Sequence, residues 1–552
     1  MSDQSTFPSG EGSPRDRAWL AWLFIAFAWF ASIGTHSLFD PDEGRYAEIP
    51  REMWASGDWI TPTLNGLPYF EKPVLQYWAT AAIYALTGVS EAGSRFWAFA
   101  LAFGCMPLLF WLSRGLGFST AIAWRAVFFL AISPFYVLIG HVNLLDQSFA
   151  FFAFAALATF LVAQRSEEDQ AEKLMLLAWA ALAAAVLTKG IVVLVLTGAT
   201  LVVHAIVHRD AGFLKRLRFW PGGLLFLAIV APWFWSVETR NPGFLQFFFI
   251  HEHFARFLTK VHRRDEPWWY FIPLVLLAAL PVIGTWRHGL ARWWREKPEG
   301  AAFPALRFLI FWCLVTFVFF SLSNSKLPPY ILPMIPPLML LLASQSEDDR
   351  KLSRHALILQ SLLIGVLSVA MIIFDRRRDG AFDLPVFAAC GVGLVALAFA
   401  WFSHLRGRSQ HALWMPVALS ALFAWQGLLV AYAVLPPERS ARALVATIRS
   451  EVRPTTTLYS VAQYRHSASF YLGRSMTLVA YKGELEEGLR RVGAADPSRY
   501  IETLETFVVR WREERDAVAF IEPRAYDELR ALGFEGRRLP DADPRSVVVA
   551  RR

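Results

Sequence analysis

The sequence predicts a polytopic α-helical membrane protein that carries a soluble α/β domain at its C-terminal end. Three observations predict this class. Of 552 residues, 55% are hydrophobic and only 18% charged, against about 25% charged in a soluble domain. Apolar runs of about 18 residues or more recur along the chain, each long enough to cross a bilayer as a helix. After Pro436 and Pro437 that pattern stops, and the charged tail to Arg552 alternates strand-like with helix-like stretches.

The first 17 residues, "MSDQSTFPSGEGSPRDR", are polar and have the composition of a disordered segment. The apolar run that follows lacks a small-residue cleavage site, so it reads as a retained helix rather than a signal peptide. About thirteen spans are expected, at 18–37, 93–113, 124–142, 147–164, 173–188, 190–207, 219–237, 268–286, 304–322, 329–344, 355–374, 385–403 and 412–435. The basic loops "HRDAGFLKRLR", "WRHGLARWWREK", "SEDDRKLSRH" and "HLRGRSQH" belong on the cytoplasmic side, with the N-terminus. The loops at 38–92 and 238–267, and "SNSK" at 323–326, then face outward. "DRRRDG" at 375–380 falls on the outer side against that rule.

An odd number of spans places the tail, 436–552, outside as well, and it is long enough for its own core. "VLQYWATAAIYALTG" (74–88) is too short for a span and fits an amphipathic helix in the interface. Cys105, Cys313 and Cys390 all sit in apolar segments, which offers no disulfide framework. Much of the net charge of +8 lies in short loops. It therefore points to lipid headgroups rather than to nucleic acid.

Four polar clusters map to the outer side. The first, "LFDPDEGRYAEIPREM", follows directly on an apolar run and carries Asp40, Asp42, Glu43, Arg45, Glu48, Arg51 and Glu52. It serves equally as a helix start, with Asp40 as cap, Pro41 at the first position and acidic groups in the first turn. The second, "LPYFEKP", holds Tyr69, Glu71 and Lys72. In the third, "HEHFARF", Glu252, His253 and Arg256 lie one helical turn apart, though their spacing is no established metal signature. The fourth, "SNSKLPPYILP", places Lys326 and Tyr330 at a helix mouth, where Lys also snorkels and Tyr also anchors. Asp146 adds a carboxylate between two spans, a functional hypothesis by default. Cations and phenols suit a lipid phosphate, and carboxylates suit a sugar ring on which positive charge develops. The residues alone therefore point to a membrane enzyme acting on a phosphate-bearing lipid. A lipid transporter would show inverted repeats or paired broken helices in both halves, and the sequence displays no such repeat.

The run "DPDEGRYAEIPREMWASGDWITPTLNGLPYFEKPVLQYW" (40–78) resembles the first outer loop of the GT-C polytopic glycosyltransferases. Among them it most resembles the bacterial 4-amino-4-deoxy-L-arabinose lipid A transferases, relatives of the protein O-mannosyltransferases. "EHFARF" and "KLPPYILP" carry the likeness further along the chain. Gly44 departs from it, standing where the family is expected to have a hydroxyl residue. The resemblance implies a donor of aminoarabinose on undecaprenyl phosphate, a lipid A phosphate as acceptor, and resistance to polymyxin and other cationic peptides. It places the enzyme in the bacterial inner membrane, with its site facing the periplasm. Asp42 would be the principal catalytic carboxylate, accompanied by Glu43 and by a second acidic position, Asp146. Arg45, Tyr46, Tyr69, Lys72, Arg256, Lys326 and Tyr330 would bind substrate. Glu71 and His253 form a candidate pair for a divalent cation, Zn or Mg, and no organic cofactor is implied. One principal carboxylate implies inversion by a single displacement. The alternative is another polyprenyl-phosphate-sugar-dependent transferase, such as a protein O-mannosyltransferase.

Overall fold

Apolar runs with nothing but hydrocarbon to satisfy their backbone must fold as helices, and the chain does so along most of its length. The computed structural model describes residues 18–255, 266–285, 303–345, 348–379, 383–434, 439–492, 496, 498–540 and 543–551. Among these residues eight helices are long and apolar enough to cross a membrane, or nine if a bent pair is taken as one span. Four further apolar helices, of 10–17 residues, are Trp19–Phe30, Val192–His208, Phe271–Ile283 and Pro328–Ala343. Every expected span thus meets a helix, but length and apolarity qualify eight or nine of them rather than thirteen. Leu145–Ala163 is the most enclosed of the eight, with 78% of its apolar window buried, whereas Asp349–Arg377 is the least, at 22%. The first is a central post and the second faces outward.

The span expected at 124–142 is a broken one. Thr120–Ala131 and Pro134–Gly140 meet at 64°. Pro134 has no amide to continue the helix, and Ser133 before it is held extended (ψ 112°). The Ser133 hydroxyl then caps the new helix by accepting from the Tyr136 amide at 3.4 Å.

Beyond the first helix, Asp42–Ser56 is a polar helix that is nevertheless buried along most of its length. Charged side chains accept burial only when partnered, and each buried one here has its partner. Glu43 meets Arg95, Arg45 meets Glu484, and Glu48 receives Arg51 at 2.6 and 2.7 Å. Glu52 accepts from the Gly66 amide at 3.0 Å. The helix does not use Asp40 as its cap. Its N-cap position is Pro41, and Asp40 reaches away to the C-terminal tail. A two-residue Asn65–Gly66 turn at positive φ joins β1 (Thr63–Leu64) to β2 (Leu67–Pro68). The Leu75–Thr87 helix follows, burying Gln76, Tyr77, Thr80, Ala81 and Tyr84 on one face and leaving Leu86 exposed on another.

The tail forms a six-stranded sheet from β3 (Thr457–Val461), β4 (Thr477–Val479), β5 (Tyr500–Ile501), β6 (Ala517–Ile521), β7 (Arg537–Arg538) and β8 (Val547–Ala550). Their order is β5-β4-β3-β6-β8-β7, parallel through β6 and antiparallel beyond it. β6 (AVAFI) is buried throughout, as expected of a strand covered on both faces.

This sheet domain is stitched to the outer loop. Asn65 exchanges two hydrogen bonds with Met476 at 2.7 and 2.8 Å. Asp40 accepts from the Ser467 amide and hydroxyl at 2.7 Å and from Arg465 at 2.9 Å. These contacts bring the His466–Leu472 helix against Asp42–Ser56 at Gly44. A Cβ on Gly44 would lie 2.6 Å from the Ser467 nitrogen and 2.8 Å from an Asp40 oxygen. A side chain, hydroxyl-bearing or not, has no room there. Gly44→Ala is expected to destabilise the protein by about 1–3 kcal/mol through overpacking, read as a lower unfolding midpoint in detergent. An unchanged midpoint would contradict the close approach.

Candidate active site

Where the outer loop, the mouths of several helices and the sheet domain meet, they enclose a cavity of about 800 Å³. Asp42, Glu43, Arg45, Tyr46, Glu71, Lys72, Asp146 and Tyr330, eight of the residues singled out from sequence, line it together. Residues more than 280 positions apart in the chain therefore share one wall system. Tyr69 is buried beside the cavity without lining it, and its hydroxyl has no hydrogen-bond partner among the described residues. Lys326 is buried elsewhere, donating to the Ser323 and Glu266 carbonyls at 2.7 and 2.8 Å. Those bonds fix the loop before Tyr330. Arg256 lies outside the described residues, as does the side chain of His253.

The two first-loop carboxylates have different environments. Glu43 is fully buried, receiving Arg95 Nε and Nη2 at 2.9 Å each, the Asn143 amide at 2.8 Å and the Phe39 amide at 3.0 Å. Burial alone would raise its pKa. The Arg95 charge and hydrogen bonds outweigh that and hold it below the ordinary carboxylate value. A carboxylate so enclosed, with four donors fastened to it, holds its helix in place. Asp42, one position earlier, lies about 100° round the helix from it. Its side chain is 47% exposed and lies 3.4 Å from Arg45 Nη1. Of the two, Asp42 is the group open to a substrate.

Lys72 donates to the Glu71 carbonyl at 2.7 Å and lies 3.4 Å from Glu252. Burial and the nearby Glu252 push the Glu71 carboxyl upward, with Lys72 opposing them. Among the described residues no group of three or more His, Cys, Asp or Glu side chains is placed to hold a metal ion. Beside Glu71 the ammonium of Lys72 supplies positive charge, and the His253 side chain of the candidate pair lies outside the described residues.

Sequence reasoning missed two parts of the site. Lys189, at the C-terminal end of the Glu168–Lys189 helix, pairs with Asp146 in the first turn of Leu145–Ala163. Both charges sit at the helix ends that favour them. The same ammonium lies 4.2 Å from the centre of the Tyr330 ring. The signal was available: "VLTKGIVV" places one cation between two long apolar runs. The other part comes from the tail, where Glu484, Glu486, Glu487 and Arg490 form a wall. Glu484 accepts Arg45 Nε and Nη2 at 3.2 and 2.9 Å and is also bonded by His466. No local pattern in "GELEEGLRR" announces a contact more than 400 residues away.

Two expectations follow. Glu43→Ala strands the buried Arg95 charge and is expected to cost about 3–5 kcal/mol of stability, seen as a large fall in the unfolding midpoint. Normal stability with lost activity would instead return Glu43 to the chemistry. Burial acts to raise the Glu484 carboxyl, but Arg45 and His466 hold it down at about 2. A depressed carboxylate contributes stability above its unfolded pKa and loses it as pH falls towards the folded value. The contribution is thus complete above about pH 4.5 and lost towards about 2. Glu484→Gln should flatten the acid limb of the unfolding midpoint between those values, and an unaltered limb would refute the assignment.

Comparison with known proteins agrees with this geometry. Residues 17–248 match the family model described as dolichyl-phosphate-mannose-protein mannosyltransferase, and residues 444–551 match aminoarabinose transferase C-terminal domain. The undecaprenyl phosphate-alpha-4-amino-4-deoxy-L-arabinose arabinosyl transferase of Erwinia tasmaniensis is 32% identical over 73% of this chain and 71% of its own. The transferase of the same name from Pseudomonas savastanoi pv. phaseolicola is 29% identical over 94% of this chain and 97% of its own. The crystal structure of ArnT from Cupriavidus metallidurans bound to undecaprenyl phosphate superposes with a TM-score of 0.84 at 30% identity, covering 97% of this chain and 98% of that one. The apo form of that protein gives 0.82 at 31% identity, covering 98% of each chain. The chain is a multi-pass membrane glycosyltransferase of GT-C fold and belongs to the undecaprenyl phosphate-aminoarabinose arabinosyl transferase family.

Proposed function

We propose that the cavity moves 4-amino-4-deoxy-L-arabinose from undecaprenyl phosphate to a phosphate of lipid A, at the periplasmic face of a bacterial inner membrane. The observation that carries this reading is the half-exposed Asp42 carboxylate in a cavity that also presents Lys72, Lys189 and Arg45. The family relationship supports the donor. The acceptor and the membrane face are supported by chemistry and by the distribution of basic loops.

In the proposed step an oxygen of the acceptor phosphate attacks the anomeric carbon as the bond from that carbon to the donor phosphate breaks. The acceptor changes from a monoester to a diester, and the donor diester leaves as undecaprenyl monophosphate. One negative charge moves from acceptor to leaving group, and no proton transfer is required. Asp42 therefore need not act as a base. Its charge favours the oxocarbenium-like sugar of the transition state, while Lys72 and Lys189 favour the phosphate that gains charge. A single displacement of this kind inverts the anomeric centre. Capping a lipid A phosphate with an amino sugar lowers surface negative charge and so weakens binding of polymyxin-like cationic peptides.

Lipid A mass spectrometry tests the proposal in cells that lack their own transferase and carry this chain or Asp42→Asn. The aminoarabinose mass increment is expected with the unaltered chain. It should fall about a hundredfold or more in the variant at equal membrane expression. A different sugar mass, or sugar on protein, would favour another polyprenyl-phosphate-dependent transfer. An increment that survives Asp42→Asn would remove that residue from the reaction.

A further inference from the structure

We infer that Glu484, supplied by the sheet domain, is a positioning residue for the transfer: by holding Arg45 it keeps the Asp42 carboxylate open to the substrate. The inference rests on the transferase reading above and adds a residue to it.

The argument starts from the geometry of a guanidinium. Its donors lie in one plane in a fixed fork, so fastening two of them aims the rest. Arg45 offers Nε and Nη2 to the two oxygens of Glu484 at 3.2 and 2.9 Å, a two-point grip. The remaining nitrogen, Nη1, is left 3.4 Å from Asp42. Arg45 is thus held by Glu484 and only loosely paired with Asp42. The environments match, since the Arg45 side chain is 9% exposed and the Glu484 side chain 17%, against 47% for Asp42.

The carboxylate that grips is itself gripped. His466 bonds Glu484 from the sheet domain, and the helix it begins is fixed to the outer loop through Ser467 and Asp40. Glu484 therefore cannot follow Arg45 if the arginine swings. Without the Glu484 charge the fork is free to close on Asp42 with two bonds. The carboxylate would then be neutralised by a protein cation rather than left for charge developing on a sugar. A bystander reading is also available, in which the pair merely staples the two parts of the molecule. That reading predicts a loss of stability rather than a change in the chemical step.

The test uses the full-length purified protein with undecaprenyl phosphate-linked aminoarabinose and lipid A, comparing Glu484→Gln, Glu484→Asp and Asp42→Asn with the unaltered chain. Glu484→Gln keeps the shape and one acceptor. It is expected to lower kcat by about tenfold to a hundredfold, the scale of a misplaced reacting group. Both KM values should stay within about twofold, because ground-state binding is untouched. Glu484→Asp should recover part of the rate. A normal kcat in Glu484→Gln overturns the inference while leaving the transferase reading intact. A fall in kcat that merely follows a fall in the unfolding midpoint, with no recovery in Glu484→Asp, overturns it in favour of a staple. No transfer by the unaltered chain overturns the transferase reading, and the inference with it. Full activity in Asp42→Asn removes the residue that Glu484 is inferred to serve.

Discussion

The ion pair between Glu43 and Arg95 is the constraint on which the rest of the site depends. Arg95 rises from a membrane-crossing helix, and both partners are fully buried. The remaining guanidinium donors go to the carbonyls of Ile33, His36 and Ser37, in the turn beyond the first helix. The remaining acceptor capacity of Glu43 goes to the Phe39 and Asn143 amides. A buried charge pair is tolerated only when such additional bonds satisfy it. Here those bonds tie together the exit of one span, the start of the Asp42–Ser56 helix and the turn before Asp146. Once that knot is made, Asp42, about 100° round the same helix, faces the cavity.

The sheet domain grips the same helix from outside. Asp40 at one end bonds Ser467, near the other Glu52 holds the turn whose Asn65 bonds Met476, and Arg45 between them reaches Glu484. A polar helix held on two sides loses the mobility that an outer loop would otherwise have. Gly44 is the local consequence, since two helices pack there too closely for a side chain. The absence of a side chain at position 44 is therefore a packing feature, set by Ser467 and His466 opposite.

What could be read from the sequence follows from where the physical signal resides. Apolar runs of membrane length announced the helical body, and the change of composition after Pro437 announced the tail, because both signals are local and periodic. The cavity carboxylates and cations of the first loop were legible because charge directly after a span is unusual. The bend at Ser133–Pro134 was not used, although proline supplies a local reason for it. Lys189 was overlooked because it ends one span and begins the next. Arg95 and Glu484 were illegible for a different cause. Each is one charge among many in its own segment, and its meaning comes from a partner 52 or 439 residues away. The displacement of Asp40 from a cap to a link between domains belongs to the same class.

The pairing of charges around the cavity suits the chemistry proposed for it. Each lining cation whose contacts are described has a carboxylate: Arg45 with Glu484 and Asp42, Lys72 with Glu252, Lys189 with Asp146, and Arg490 with Glu487. An unbalanced cluster of ammonium groups would bind a polyprenyl monophosphate tightly and hold it after the reaction, since binding product and transition state equally well does not raise turnover. Balanced pairs give a weaker resting field. A phosphate that gains charge as the sugar departs can compete with a carboxylate for its ammonium, so stabilisation grows where charge develops rather than being spent on the ground state. Asp42 is the exception that the transfer requires. Its cation is committed to Glu484, and it alone of these carboxylates is left half-exposed beside the space that a sugar would occupy.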